Sequence, residues 1–281
     1  MLTDFLQFDF LRNTFITGIL IGIIAPLLGC FLVVRRLSLL ADSLSHVTLA
    51  GIAFGLMIEK LFILPLNPLY SGMGFSVIGA ILIEKLRSVY TAYQEIGIPI
   101  ILSAGVGLSV IFISIANGFN TDLFNYLFGS VSAVSKSDLI TISVITFIII
   151  TLVVLFYKEL LTLSFDEEHA IVSGIHANRI HFLFIVLTAL VIAAAIRIVG
   201  VLLVSALMTL PVASAMRLAV SFKQLVFLSI IFAEVSVIIG LISGYLLSIP
   251  PGGTIVLIAI IILVFSILAK RLSLRLQKGV D

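Results

Sequence analysis

Asp42 and His46 lie four residues apart in the stretch Ser38 to Gly55, S-L-L-A-D-S-L-S-H-V-T-L-A-G-I-A-F-G. In a helix that spacing puts both side chains on one face, with Ser38 and Ser45 on or near it. The other positions are mostly Leu, Val, Ala, Ile and Phe, as a helix facing lipid requires. An ionisable pair inside an apolar span is costly and by default functional. A carboxylate and an imidazole are also donors for a divalent transition metal. Two ligands do not make a site, so others must come from elsewhere in the chain, a second subunit or water. The same spacing also suits a plain structural pair, with Asp42 and His46 bonded to each other or to backbone near a membrane surface.

The helix that carries them belongs to a chain that is apolar almost throughout. Of 281 residues, 61% are hydrophobic and 11% charged, with a mean hydropathy of +1.33. Soluble domains are about 25% charged, so the chain reads as an all-α polytopic membrane protein. No secretory cleavage pattern is read, because the first apolar segment runs straight into Arg35-Arg36. The single cysteine, Cys30, excludes an internal disulfide framework and a Cys-rich metal site, and reads as a small packing residue. No nucleic-acid patch is visible.

Nine apolar spans are expected, at residues 14–34, 39–59, 63–84, 97–117, 138–157, 181–196, 198–216, 224–247 and 253–269, each near bilayer length. Only Arg197 separates the sixth and seventh, so an eight-span reading stays open. With the N-terminus outside, the inner segments hold Arg35, Arg36, Lys85, Arg87, Lys158, Arg179, Arg217, Lys223, Lys270, Arg271, Arg275 and Lys278, which is 12 of the 16 basic residues. The charge bias therefore selects N-out, C-in for nine spans. Gly18/Gly22, Gly51/Gly55 and Gly240/Gly244 read as small-residue pairs for close helix packing, and Pro26 as a kink in the first span. The segment Asn120 to Lys136 is too polar for a span and reads as a short outer helix or re-entrant piece. Ile249 to Gly253 reads as the outer turn between the last two spans.

The longest inner connection runs from Lys158 to Ile180. Within it, Phe165 to Ile180 carries helix signals: Asp166, Glu167 and Glu168 at a start, where negative charge suits the macrodipole, and Gly174 as a stop. This looks like a docking element. His169, His176 and His181 invite a metal reading, but they fall in a connecting loop, irregularly spaced and without Cys. Glu234, in F-A-E-V-S-V-I-I-G, is the one intramembrane acid of the second half. By its residues it reads as a carboxyl hydrogen-bonded at a helix interface, and as a further metal contact only through the family resemblance that follows.

The stretch S-L-L-A-D-S-L-S-H-V-T-L-A-G-I-A-F-G resembles the permease subunits of the bacterial zinc/manganese/iron ABC importers. So do F-L-V-V-R-R-L-S-L-L (Phe31 to Leu40), F-D-E-E-H-A-I-V-S-G-I (Phe165 to Ile175) and G-V-L-L-V-S-A-L-M-T-L-P-V-A-S-A-M-R-L (Gly200 to Leu218). The resemblance covers nearly the whole chain and looks most like the Gram-positive zinc members. It implies one permease domain over residues 1–281, of the vitamin B12-importer architecture, in a bacterial cell membrane. A second copy of the chain, two cytoplasmic ATPase subunits and an extracellular metal-binding lipoprotein or solute-binding protein are the implied partners. Residues 159–180 would contact the ATPase. Asp42 and His46 carry over as metal-contacting positions. Some manganese members add acidic residues from a later helix; here position 238 is Ile238, which leaves Glu234 without an acidic partner and favours zinc, with manganese the other candidate.

No G-x-x-x-x-G-K-[ST] motif occurs in the chain, so ATP hydrolysis falls to a partner and the chain itself is not an enzyme. The expected function is passage of zinc or manganese by alternating access. The alternative is a secondary metal/proton antiporter in which Asp42 and His46 relay protons. An intramembrane enzyme is disfavoured, since no serine sits in a G-x-S-x-G setting and no nucleophile is positioned beside the Asp42–His46 pair by sequence.

Overall fold

The computed structural model describes residues 8–62, 67–90, 93–116, 121–130 and 134–278, and among them every regular element is helical. The order is α1 (Asp9–Val34), α2 (Ser38–Phe62), α3 (Pro68–Val89), a 3₁₀ turn (Gln94–Ile96), α4 (Gly97–Ile115), α5 (Thr121–Phe128), α6 (Lys136–Leu155), α7 (Tyr157–Phe165), α8 (Glu167–Val172), α9 (Ala177–Val199), α10 (Val204–Ala215), α11 (Phe222–Leu247) and α12 (Pro251–Lys278). Eight of these helices are long and apolar enough to cross a membrane. Residues 63–66 of the expected third span, and Asn120 and residues 131–133 of the outer segment, lie outside the described residues.

A further pass, the seventh in chain order, is made by α10. Its 12 residues rise about 18 Å, short of the roughly 30 Å of a hydrocarbon core. Yet the chain enters it at one end of the bundle, where the Val201 N–H donates to the Tyr126 carbonyl (2.9 Å). It leaves at the other, where Phe222 packs on Phe31 (5.0 Å) and Phe165 (6.0 Å). Residues 200–203 and 216–221 supply the missing length. With α10 the chain passes nine times between the two ends of the bundle, eight of those passes by helices long enough to span a membrane. Arg197 does not separate the two passes; it lies in the last turn of α9. The break comes at Gly200, whose φ of +85° is open to glycine and strained for other residues.

Helix α9 is the axis of the core. From Val191 to Val199 nearly every side chain is buried, as expected of a helix apolar all round, and Ala193, Ala194 and Ala195 let neighbours come close. The three expected glycine pairs pack as read. A methyl at Gly18 or Gly22 would meet α11, at Gly51 or Gly55 it would meet α3, and at Gly240 or Gly244 the start of α12. Helix α1 runs unbroken through Pro26, so the expected kink does not interrupt it. The polar outer segment forms one short helix, α5, as anticipated.

The inner connection differs in detail from the expected single helix. It folds as α7 and α8 joined at Asp166, whose carboxylate accepts from the His169 N–H (2.8 Å) and caps α8. Gly174 follows α8 with φ of +82°. The Gly174 N–H donates to Ile171 and the Ile175 N–H to Ala170 (both 3.0 Å), a Schellman termination.

Candidate functional site

Asp42 and His46 share one face of the first turns of α2, and both are half-buried. Among the described residues neither side chain has a hydrogen bond or ion pair, to the other or to backbone. The structural-pair reading of the spacing is therefore not what the fold contains. Their backbone, by contrast, is fixed on every side. Ser43 Oγ donates to the Ile98 carbonyl (3.0 Å) and Ser109 Oγ to the His46 carbonyl (3.3 Å), binding α2 to α4. A methyl at Gly105 would press on the backbone of His46 and Val47, and one at Gly79 on the Val47 side chain. Ser45 and Thr48 return their hydroxyls to the carbonyls of Ala41 and Leu44, so their polar atoms are spent within the helix. What remains is a carboxylate and an imidazole presented together from a rigid three-helix unit, α2–α3–α4. Such donors suit zinc or manganese.

Glu234 is not brought to this pair. It sits on α11 against α1, where a methyl on Gly22 would lie 2.6 Å from its Oε1. That oxygen is buried without a hydrogen-bond partner among the described residues. No group of three His, Cys, Asp or Glu side chains among them is placed to hold a metal. Among the described residues, then, Asp42 and His46 share a helix face and Glu234 stands apart from them.

A second polar assembly lies at the end of the bundle that holds the basic residues. Arg87, in the last turn of α3, donates from Nη2 to both carboxylate oxygens of Glu167 on α8 (3.1 and 3.3 Å). Its Nε donates to Gln94 Oε1 (2.6 Å), and Glu84 lies 3.9 Å from Nη1. Glu84 in turn meets His181 Nε2 at 3.3 Å. His181 is therefore no loop residue: it is buried in the first turns of α9, which corrects the expectation from sequence. Arg35 stacks over the Phe184 ring (5.5 Å). Burial first, and then the neighbouring Arg87 charge, hold its guanidinium down to about 10, still cationic at neutral pH. A cavity of about 790 Å³ opens among Arg35, Arg36, Arg87, Gln94, Glu167 and His181. Of this assembly the sequence points to Glu167 and gives Arg87 and Glu84 no site role. The one signal was their i, i+3 spacing at the basic end of a span.

The opposite end carries one buried ion pair. Arg197 Nη2 reaches Asp138 Oδ2 at 3.4 Å, and its guanidinium lies 5.0 Å from the centre of the Tyr126 ring. Asp138 closes a capping box with Ser135 at the start of α6.

Several known proteins are similar to this chain over most of its length. The chain is 36% identical over 271 residues to the manganese import system permease protein ScaB of Streptococcus parasanguinis, covering 95% of this chain and 94% of that protein. It is 34% identical over 261 residues to the manganese transport system membrane protein MntC of Listeria monocytogenes, covering 93% and 91%. The solved structure of PsaBC from Streptococcus pneumoniae in complex with Fab superposes with a TM-score of 0.81, at 34% identity and 95% coverage of both chains. The profile of the ABC 3 transport family matches residues 7–270, and this multi-pass membrane protein belongs to that family.

Proposed function

We propose that the chain is the permease subunit of an ATP-driven importer of a divalent transition metal. The observation that carries the reading is the Asp42–His46 face: two metal donors without partners in the described chain, held on a rigid helix unit, in a chain of an ABC transport family. The remaining ligands come from water, backbone or a second copy, and their small number lets the ion leave again. The relatives named for manganese move the preference from zinc, which the motif alone favoured, to manganese. The antiporter reading gains no support, since the family draws on ATP.

On this reading residues 1–281 form one permease domain that pairs with a second copy and receives the ion from an extracellular lipoprotein or solute-binding protein. The basic end is cytoplasmic. There residues 159–180 meet two ATPase subunits, offering the exposed Phe165, Ile171 and Val172 beside the acidic start of α8. Closure of the ATPases moves this segment and turns the pathway from one face to the other.

The test is metal uptake by a strain lacking the chain, with manganese and zinc compared. Asp42→Ala and His46→Ala are each expected to abolish uptake while the protein reaches the membrane at normal levels and co-purifies with its ATPase. Glu234→Gln is expected to have the milder effect. Uptake at the unaltered level by either alanine variant would overturn the reading.

A further inference from the structure

Helix α8 has six residues and buries only Ala170 against the bundle. Packing alone holds it weakly. The polar contact that reaches from it to a membrane helix is Glu167 to Arg87, a two-oxygen grip at 3.1 and 3.3 Å. Arg87 is itself largely shielded, with 16% of its side chain exposed. The same guanidinium holds Gln94, in the turn that leads into α4, at 2.6 Å. One side chain thus joins α8 to the end of α3 and to the entrance of α4.

Those are the two helices that clasp α2. Gly51 and Gly55 lie against α3, Gly105 lies against the His46–Val47 backbone, and two hydroxyls tie α2 to α4, Ser43 of α2 donating to the Ile98 carbonyl and Ser109 of α4 to the His46 carbonyl. Close-packed backbones do not slide past one another independently, so a displacement of α3 and α4 carries α2 with it. A planar guanidinium bound to two oxygens transmits direction as well as force, which a point charge does not.

We propose that Arg87 is the positioning residue that couples α8 to the Asp42–His46 helix, passing movement imposed on Glu167 through α3 and α4 to the ion face. This rests on the importer reading given above. It adds the route by which the ATPase would act on the pathway.

The experiment uses the permease–ATPase complex reconstituted in proteoliposomes, with manganese as the probe and ATP hydrolysis measured in the same vesicles. Arg87→Gln and Glu167→Gln should each lower ATP-driven uptake about tenfold, the low end of what a lost hydrogen bond between charged groups costs. Hydrolysis should persist and the complex remain intact on gel filtration. Arg87→Lys keeps the charge without the fork and should fall between. In a Cys30→Ser background, the pair Arg87→Cys and Glu167→Cys should show the same roughly tenfold loss until joined by a short reducible bis-thiosulfonate tether, and show it again on reduction. Uptake and hydrolysis falling together, no recovery on tethering, or unaltered uptake by Arg87→Gln would each overturn the proposal. Absence of ATP-driven uptake of manganese and zinc by the unaltered complex would instead overturn the importer reading itself.

Discussion

The two ends of the bundle are joined by different means. At the end where α9 finishes, backbones meet directly. A methyl on Gly129 would lie against the Ile198 carbonyl, one on Gly200 against the Leu127 carbonyl, and one on Gly252 against the Val199 carbonyl. At the basic end side chains make the joins: Arg87 among Glu84, Gln94 and Glu167, with a cavity beside them. Backbone contact of this kind has one geometry and no slack. A guanidinium with several acceptors can exchange them. The comparison places stiffness at one end and adjustable contacts at the end where an ATPase would dock.

The sharpest way to break this contrast is to give both ends the same substitution. Gly200 and Gly174 have nearly equal φ, +85° and +82°. They differ in surroundings and in backbone: Gly200 is walled in by backbone and, with ψ of 155°, lies in a region open essentially only to glycine, whereas nothing lies within 4 Å of a methyl on Gly174. Gly200→Ala should therefore combine strain with overpacking, a loss above about 4 kcal/mol. It should show as failure to recover monodisperse protein after detergent extraction. Equal recovery of Gly200→Ala and Gly174→Ala would remove the distinction between the ends.

The next effect in size tests whether charge also locks the stiff end. Asp138 is 1% exposed. Arg197→Met would leave its carboxylate buried with only Ser135 beside it, a cost of about 3 kcal/mol. A thermal melt of the solubilised protein should show this. Replacing Asp138 as well, with Leu, should recover most of the loss, since removing both charges is far cheaper than removing one. If the double variant melts as low as the single, the ion pair is not what holds α6 to α9.

These contrasts also mark what was legible from sequence. The spans were, because lipid imposes length and apolarity on each crossing independently of its neighbours. The seventh crossing was misjudged at its start. Hydropathy sees the charge of Arg197, yet Asp138 and the Tyr126 ring accommodate that charge, and a positive φ at Gly200 makes the turn. The Asp42–His46 face was legible because both residues lie within one helical turn. The Arg87 assembly was not. Its members stand 80 residues apart in the case of Arg87 and Glu167, and no local period announces such a pair. His181 misled for a related reason: its loop-like neighbours hide that Glu84, from another helix, awaits it. For Glu234 the sequence showed an acid within a span, but only packing shows that it faces Gly22 and not the pair on α2.

The smallest effect lies within the basic end, where two Schellman terminations differ in one residue. After α8 the left-handed position is Gly174. After α1 it is Arg36, with φ of +59°. Both make the same bonds: the Arg36 N–H donates to Val33 (3.1 Å) and the Leu37 N–H to Leu32 (2.9 Å), as Gly174 and Ile175 do to Ile171 and Ala170. A side chain in this region costs about 1 kcal/mol. Glycine escapes that cost but loses more freedom on folding, so Arg36→Gly should raise stability by about 0.5 kcal/mol, and Gly174→Ala should lower it by about 1 kcal/mol. Melting curves of the two variants should move in opposite directions. Loss of stability in Arg36→Gly would mean that the side chain earns its strained backbone through contacts at the cavity. Arg36→Asn then separates the causes. Asparagine tolerates the left-handed region without the charge, so a matching loss in that variant assigns the effect to the guanidinium, and a gain assigns it to glycine's own flexibility.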